Sequence, residues 1–221
     1  MRAKVLYVIT IALLSISQVL HAQNAQEMAV LKERAKEKVA MMNRYIAYMA
    51  DPRNPENTRF GYKEEAQNLF INKCNDYTEI VEFENGEKET IQREGVTMQV
   101  ASLKNKTPRT KPMKSYFRGL IKMNYKSVNM ESTDIADMRV SKLQPYGKDA
   151  EGNQLYICSV FFDQVFVGVT PEGRKYQDIT HKWAVCYVQV DEVLDETTGE
   201  TYKEYMVSLG DVHVDSIEKL W

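Results

Sequence analysis

From residue 125 onward the chain reads as four long extended segments, Tyr125 to Tyr146, Leu155 to Val169, Thr180 to Leu194 and Thr201 to Val214. Short Gly-containing turns join them at residues 149–153, at Pro171-Glu172-Gly173 and at Glu196-Thr197-Thr198-Gly199. Turns of this length connect antiparallel neighbours, so this half of the sequence is committed to a meander. The first turn lacks the alternating acidic ligands and terminal Glu of a calcium loop and is read as a turn only. The second segment is apolar at both parities, with Ile157, Phe161, Val165 and Val167 on one side and Val160, Phe162 and Phe166 on the other. Such a strand calls for cover on both faces.

Helices preceding the meander are expected to supply the cover for one face. From Ala25 to Ala50, Met28, Leu31, Ala35, Val39, Met42, Ile46 and Met49 recur at spacings of three and four, opposite Lys32, Glu33, Lys36, Glu37 and Lys38. This is the pattern of one amphipathic helix, ended by Asp51-Pro52. A second helix is expected from a cap at Asn57 or Thr58 to Cys74, carrying Tyr62, Ala66, Leu69 and Phe70 inward. Asn85-Gly86, between Tyr77 to Glu84 and Glu87 to Glu94, predicts a short acidic hairpin. Val96 to Leu103 predicts a further short strand, and Asn105 to Pro112 a basic loop. Five basic residues fall between Lys104 and Lys114, a run that an acidic partner or a membrane surface can use, although most such runs are simply solvated. Pro112 then opens a third helix through Met123, with Met113, Tyr116, Phe117, Leu120 and Ile121 as its apolar side.

Residues 1–22 read as a secretory signal peptide: Arg2 and Lys4, the apolar run Val5 to Leu14, and Leu20-His21-Ala22 before the cut. The apolar core of about 10 to 13 residues is short of the roughly 20 that span a bilayer. Cleavage after Ala22 leaves a single domain over 23–221 with no membrane span, exported to a bacterial periplasm or secreted. The leader holds two of the 29 basic residues and none of the 31 acidic ones, so the charge moves from −2 to 27 − 31 = −4. An acidic balance cannot displace counterions from phosphates, which excludes a nucleic-acid partner. At 43% hydrophobic the chain is not of the disordered class. A turn centred on Glu172 sets Cys158 opposite Cys186. An oxidising compartment permits a bridge there, while two small apolar core residues are the simpler reading.

The order helix, helix, short hairpin, helix and four-stranded meander resembles that of the nuclear transport factor 2-like family, in which a curved sheet wraps against three helices as a cone enclosing a pocket. The resemblance covers Ala25 to Trp221. It rests on Met28 to Met49 for the first helix, Tyr116-Phe117-Arg118-Gly119-Leu120-Ile121 for the third, and Tyr125 to Val140 feeding the sheet. A cystatin-like helix-on-sheet module is the nearest alternative. The resemblance implies an α+β fold with a mostly antiparallel, curved sheet. Members of the family act as polyketide cyclases, isomerases, dehydratases, accessory subunits or noncatalytic binding and assembly modules, so fold alone leaves function open.

Pairing the last two hairpins about residue 172 and midway between Thr197 and Thr198 puts Ala184, Cys186, Val188 and Val190 on one face with Tyr205, Val207, Leu209, Asp211 and His213. Asp211 and His213 then face the core near one end, and Tyr116, Phe117, Cys186, Tyr205 and Leu209 line a pocket. An isomerase-type site needs a carboxylate base in an apolar cone and a hydroxyl for the enolate oxygen. Asp211 can be that base, with Tyr116 or Tyr187 as the hydroxyl. A single β-bulge would turn Asp211 and His213 outward. No HExxH, glycine-rich phosphate loop or GxSxG occurs, so no metal site and no cofactor is called for. Cys158, amid apolar strand residues, is expected to be protonated and inert. Two readings follow. One is a noncatalytic exported binding or assembly module for an apolar small molecule or a protein partner, with a homodimer formed through the second sheet face. The other is a cofactor-independent acid/base enzyme.

Overall fold

The computed structural model describes residues 2–219 apart from 84, 104, 149–151 and 196, with side chains from residue 25 onward except at 105. The leader expected over 1–22 therefore falls where no side chain is described, and the turn residues 149–151 also lie outside the described residues. The chain is α+β, with three α-helices and one ten-stranded, mostly antiparallel sheet.

Helix α1 (Arg2–Ala50) forms the seam of the structure. Leu31, Ala35, Val39, Met42, Ile46 and Met49 are wholly buried, as their spacing predicts, and they join one core cluster with residues of the sheet. Each of the Leu, Val, Ile and Met side chains taken from water contributes roughly 1.5–3 kcal/mol. α2 (Glu56–Gln67) starts directly after Pro55, one residue before the expected cap, and it stops short of Cys74. The reason for the early stop is tertiary. Leu69 accepts the backbone N–H of Leu209 at 2.9 Å and Phe70 bridges to Leu209, which pulls the chain out of the helix. Asn72, Lys73 and Cys74 follow at positive φ. α3 (Met113–Ile121) begins after Pro112 and buries all five of its predicted apolar residues.

The strands are β1 (Tyr77–Glu82), β2 (Lys88–Arg93), β3 (Thr97–Ser102), β4 (Asn105–Pro112), β5 (Ser127–Ser132), β6 (Arg139–Val140), β7 (Gln144–Lys148), β8 (Gln154–Val169), β9 (Lys175–Leu194) and β10 (Thr201–Lys219). They run in the order β2-β1-β7-β8-β9-β10-β3-β4, with β5 and β6 also paired to β8. The expected first long segment is thus three short strands laid end to end along β8, interrupted by a 3-10 turn at Ile135–Asp137. The expected basic loop is β4, an exposed edge strand whose Pro108 and Pro112 carry no donors for further pairing.

β8 and β9 pair about Glu172, with Cys158 facing Cys186. β9 and β10 pair about the point between Thr197 and Thr198 as far as Leu209, and then two bulges intervene, between Leu209 and Val212 and between Val214 and Ser216. Each bulge moves the inward parity by one residue. Val207 and Leu209 face the helices, but so do Val212 and Val214, and then Ile217. The placement of Asp211 and His213 on the core side is therefore corrected: both lie on the opposite face. There Asp211 Oδ1 accepts Thr97 N–H at 2.7 Å and Thr97 Oγ1–H at 2.9 Å, tying β3 to β10 beside their single parallel pair, Val212 and Met98. His213 stacks on Trp183, its register partner, at 4.0 Å.

Asp211→Ala removes two charge-assisted hydrogen bonds at a half-buried position, and a loss of about 1–2 kcal/mol is expected. Urea denaturation followed by far-UV circular dichroism checks this. The midpoint should fall with an unchanged slope, and an unchanged midpoint would show that the β3–β10 junction does not need Asp211.

Candidate functional site

On the helix-facing parity of β8 and β9, Val160, Phe162, Ala184, Cys186 and Val188 are all buried. Toward the β8–β9 turn the same parity becomes polar: Gln164 on β8, and Lys182, Thr180 and Asp178 on β9. Gln164, Thr180 and Lys182, with Asn43 from α1, are the polar residues that the described core buries, each at 5–6% exposure. They converge on one place. Lys182 Nζ donates to Gln164 Oε1 at 2.8 Å, and Gln164 Nε2 donates to Asn43 Oδ1 at 3.2 Å. Asn43 Nδ2 has no partner. Buried polar groups are almost always satisfied, so a lysine and an unpaired amide in a core stand out.

Lys182, Gln164, Thr180 and Asp178 line a cavity of about 620 Å3. Its walls are Tyr116 and Leu120 of α3, Met123 and Tyr125 beyond it, Val100 to Leu103 of the β3 end, Met130 of β5, Phe166 of β8 and Tyr176 of β9. Tyr125 packs edge-on against both Phe166 and Tyr176, with ring centres 5.4 and 6.5 Å apart. The rings form the apolar wall and the lysine chain forms the floor. Small-molecule sites are commonly of this size and make-up.

Burial pushes the Lys182 ammonium down from its ordinary 10.5 to about 8, and the charge of Asp178 opposes this. Burial raises the Asp178 carboxyl, against the pull of Lys182. Burial alone pushes the Tyr116 phenol up. A second cavity, of about 400 Å3, lies on the other face between Tyr77, Leu155, Tyr187 and Met206. Beside it Arg93 bridges Glu79 at 3.0 Å and donates to the Tyr146 hydroxyl.

Of the residues expected in a pocket, Tyr116 lines the large cavity. Phe117, Cys186 and Leu209 are wholly buried in filled core, and Tyr205 packs against that core from β10. Tyr187 stands on the opposite face, against Tyr146 at 5.8 Å, with its phenol raised by burial to about 12. Asp211, His213 and Tyr187 thus share the face away from Tyr116: of the two hydroxyls expected for Asp211, Tyr116 is on the other side of the sheet, while Tyr187 is on the same side and feels the charge of Asp211. Cys158 and Cys186 are free thiols. A hydrogen bond from Cys186 outweighs burial and lowers the Cys158 thiol, with help from Lys32. Cys186 is raised in turn.

Sequence reasoning passed over Lys182, Gln164, Thr180 and Asn43. A signal was present: Asp178, Thr180 and Lys182 occupy the parity that Ala184, Cys186, Val188 and Val190 fill with apolar groups. Three polar residues in succession on a core face break a period-two pattern. No family model, curated protein or solved structure matches this chain.

Lys182→Met should stabilise the protein at pH 7. The depressed ammonium represents about 3 kcal/mol of burial penalty, and unpairing Gln164 Oε1 returns about 1–2 of it, leaving a gain of about 1–2 kcal/mol. The unfolded chain keeps the lysine proton to about 10.5 and the folded chain only to about 8. The penalty is therefore complete below pH 8 and disappears toward 10.5, and the gap between variant and parent narrows over that window. Cys74, raised by burial to about 12, acts in the opposite direction but equally in both proteins. Paired denaturation curves at pH 7 and 9.5 test this. A destabilised variant, or a gap that does not narrow, contradicts it.

Proposed function

We propose that the protein is an exported, noncatalytic binding module that holds an apolar small molecule in the cavity between α3 and the β8–β9 end of the sheet. The single observation that carries this reading is the half-open cavity of about 620 Å3 walled by Tyr116, Tyr125, Phe166 and Tyr176 at the edge of the core. The cone of the nuclear transport factor 2-like family is the architecture this reading favours, since a pocket under a curved sheet is what that resemblance implies. The acid/base reading is not carried forward. It needed Asp211 as a free base in an apolar pocket with Tyr116 or Tyr187 as the hydroxyl, and although Tyr187 shares its face, Asp211 is engaged with Thr97 as the tie between β3 and β10.

N-phenyl-1-naphthylamine, a neutral apolar fluorophore, tests the cavity directly. The expected result is a saturable rise in emission at one site per chain. Ala101→Phe, which puts a ring into the cavity from its wall, should weaken binding at least about tenfold while leaving the circular dichroism spectrum unchanged. No saturable binding by the parent, or undiminished binding by a folded Ala101→Phe protein, overturns the proposal.

A further inference from the structure

The donors and acceptors around the cavity are unequal in number. The ammonium of Lys182 carries three N–H donors, and one of them goes to Gln164 Oε1. Gln164 in turn gives its Nε2 to Asn43, so the amide chain behind the lysine supplies no second acceptor. The hydroxyl of Tyr116 and that of Thr180 also border the space. Asp178 is the one anionic group of the lining, and it acts on Lys182 through charge, without a hydrogen bond. Lys182 is 6% exposed and Asp178 is half-buried, so the cationic group is the deeper of the two. The site therefore holds unspent donors and positive charge at its floor, with rings and methionines along its walls.

We infer that the occupant is a monocarboxylate amphiphile, whose carboxylate takes the free N–H donors of Lys182 and whose alkyl or aryl body lies between Tyr116, Tyr125, Phe166 and Tyr176. A carboxylate supplies acceptors for the free donors and cancels a charge that is otherwise buried against a neutral amide. A phosphate monoester brings close to two charges, one more than Lys182 offsets, and sets them against Asp178. A cationic head meets Lys182 unfavourably. The apolar body replaces water against Leu120, Met123 and Met130. This inference rests on the cavity being a binding site and adds the chemistry of the head group.

Titration calorimetry with three probes of one body separates these points: dodecanoate, dodecan-1-ol and dodecyltrimethylammonium, at pH 7 and below micelle-forming concentrations. Dodecanoate should bind at least about tenfold more tightly than dodecan-1-ol, the usual scale of one charge-assisted hydrogen-bonded pair, and the ammonium probe should bind most weakly. Lys182→Met should abolish the advantage of dodecanoate over dodecan-1-ol, and Asp178→Asn should strengthen dodecanoate. If none of the three binds, the cavity reading itself fails. If dodecan-1-ol binds as tightly as dodecanoate, or if the advantage survives Lys182→Met, the head-group inference alone fails.

Should Lys182→Met not fold, the parent protein still decides the matter through pH. The titratable groups that face Lys182 are Asp178 and Tyr176 on its own strand, Tyr116 from α3 and Tyr125 from the link after it. Burial raises the phenols of Tyr116 and Tyr125, so both move away from the range in which Lys182 titrates. The advantage of dodecanoate over dodecan-1-ol should shrink across that range as Lys182 loses its proton. A constant advantage overturns the inference.

Discussion

Everything in this molecule depends on the seam between α1 and the even-numbered face of β8 and β9. Side chains alternate across a strand, so a 20-residue strand commits half of its residues to each face. Once Ile46, Met42 and Val39 occupy one side, the residues opposite them must be apolar or must find polar partners. β8 and β9 meet the demand with Cys158, Val160, Phe162, Ala184, Cys186 and Val188. β10 meets it differently. Its inward residues are Val207, Leu209, Val212, Val214 and Ile217, and the two bulges are what allow this spacing to stay on one face. The bulges also decide which polar residues are excluded: Asp211 and His213 go to the far side and are used there as a strand tie and a ring stack.

Against that constraint, the end of the sheet at Gln164, Thr180 and Lys182 is a departure with a cost. A buried ammonium resting on one amide oxygen, and an amide nitrogen with no partner behind it, both destabilise the folded chain. Proteins tolerate such costs at sites where a ligand completes the arrangement, because binding energy then offsets what folding alone does not. The cavity beside these groups gives the departure its physical sense. Tyr125, set edge-to-face against Phe166 and Tyr176, builds its apolar wall.

Much of the frame was legible in the sequence. The period of α1, the five apolar residues of α3, the Asn85-Gly86 hairpin and the pairing centre at Glu172 all follow from local rules that tertiary contacts leave intact. The misreadings share one cause, a longer-range partner that changes a local choice. Leu69 and Phe70 leave α2 because β10 needs a neighbour at Leu209, and the stretch Asn105 to Pro112 is drawn into the sheet by β3. The bulges of β10 were readable from the steps 207, 209, 212, 214 and 217, two of which are threes, but only if strict alternation is given up. The candidate site was hidden for the opposite reason. Its residues obey strict alternation, and their polarity, not their position, is the anomaly.

The central claim is that Lys182 sits as a cation at the buried floor of a cavity, and its own titration tests that most directly. In protein carrying lysine labelled with 13C at the ε carbon, the Lys182 resonance is assigned by its loss in Lys182→Met and followed from pH 6 to 11. The structure predicts a midpoint near 8, well separated from the exposed lysines. A Lys182 resonance with its midpoint at the ordinary lysine value of about 10.5 would place its amine in water and contradict the account.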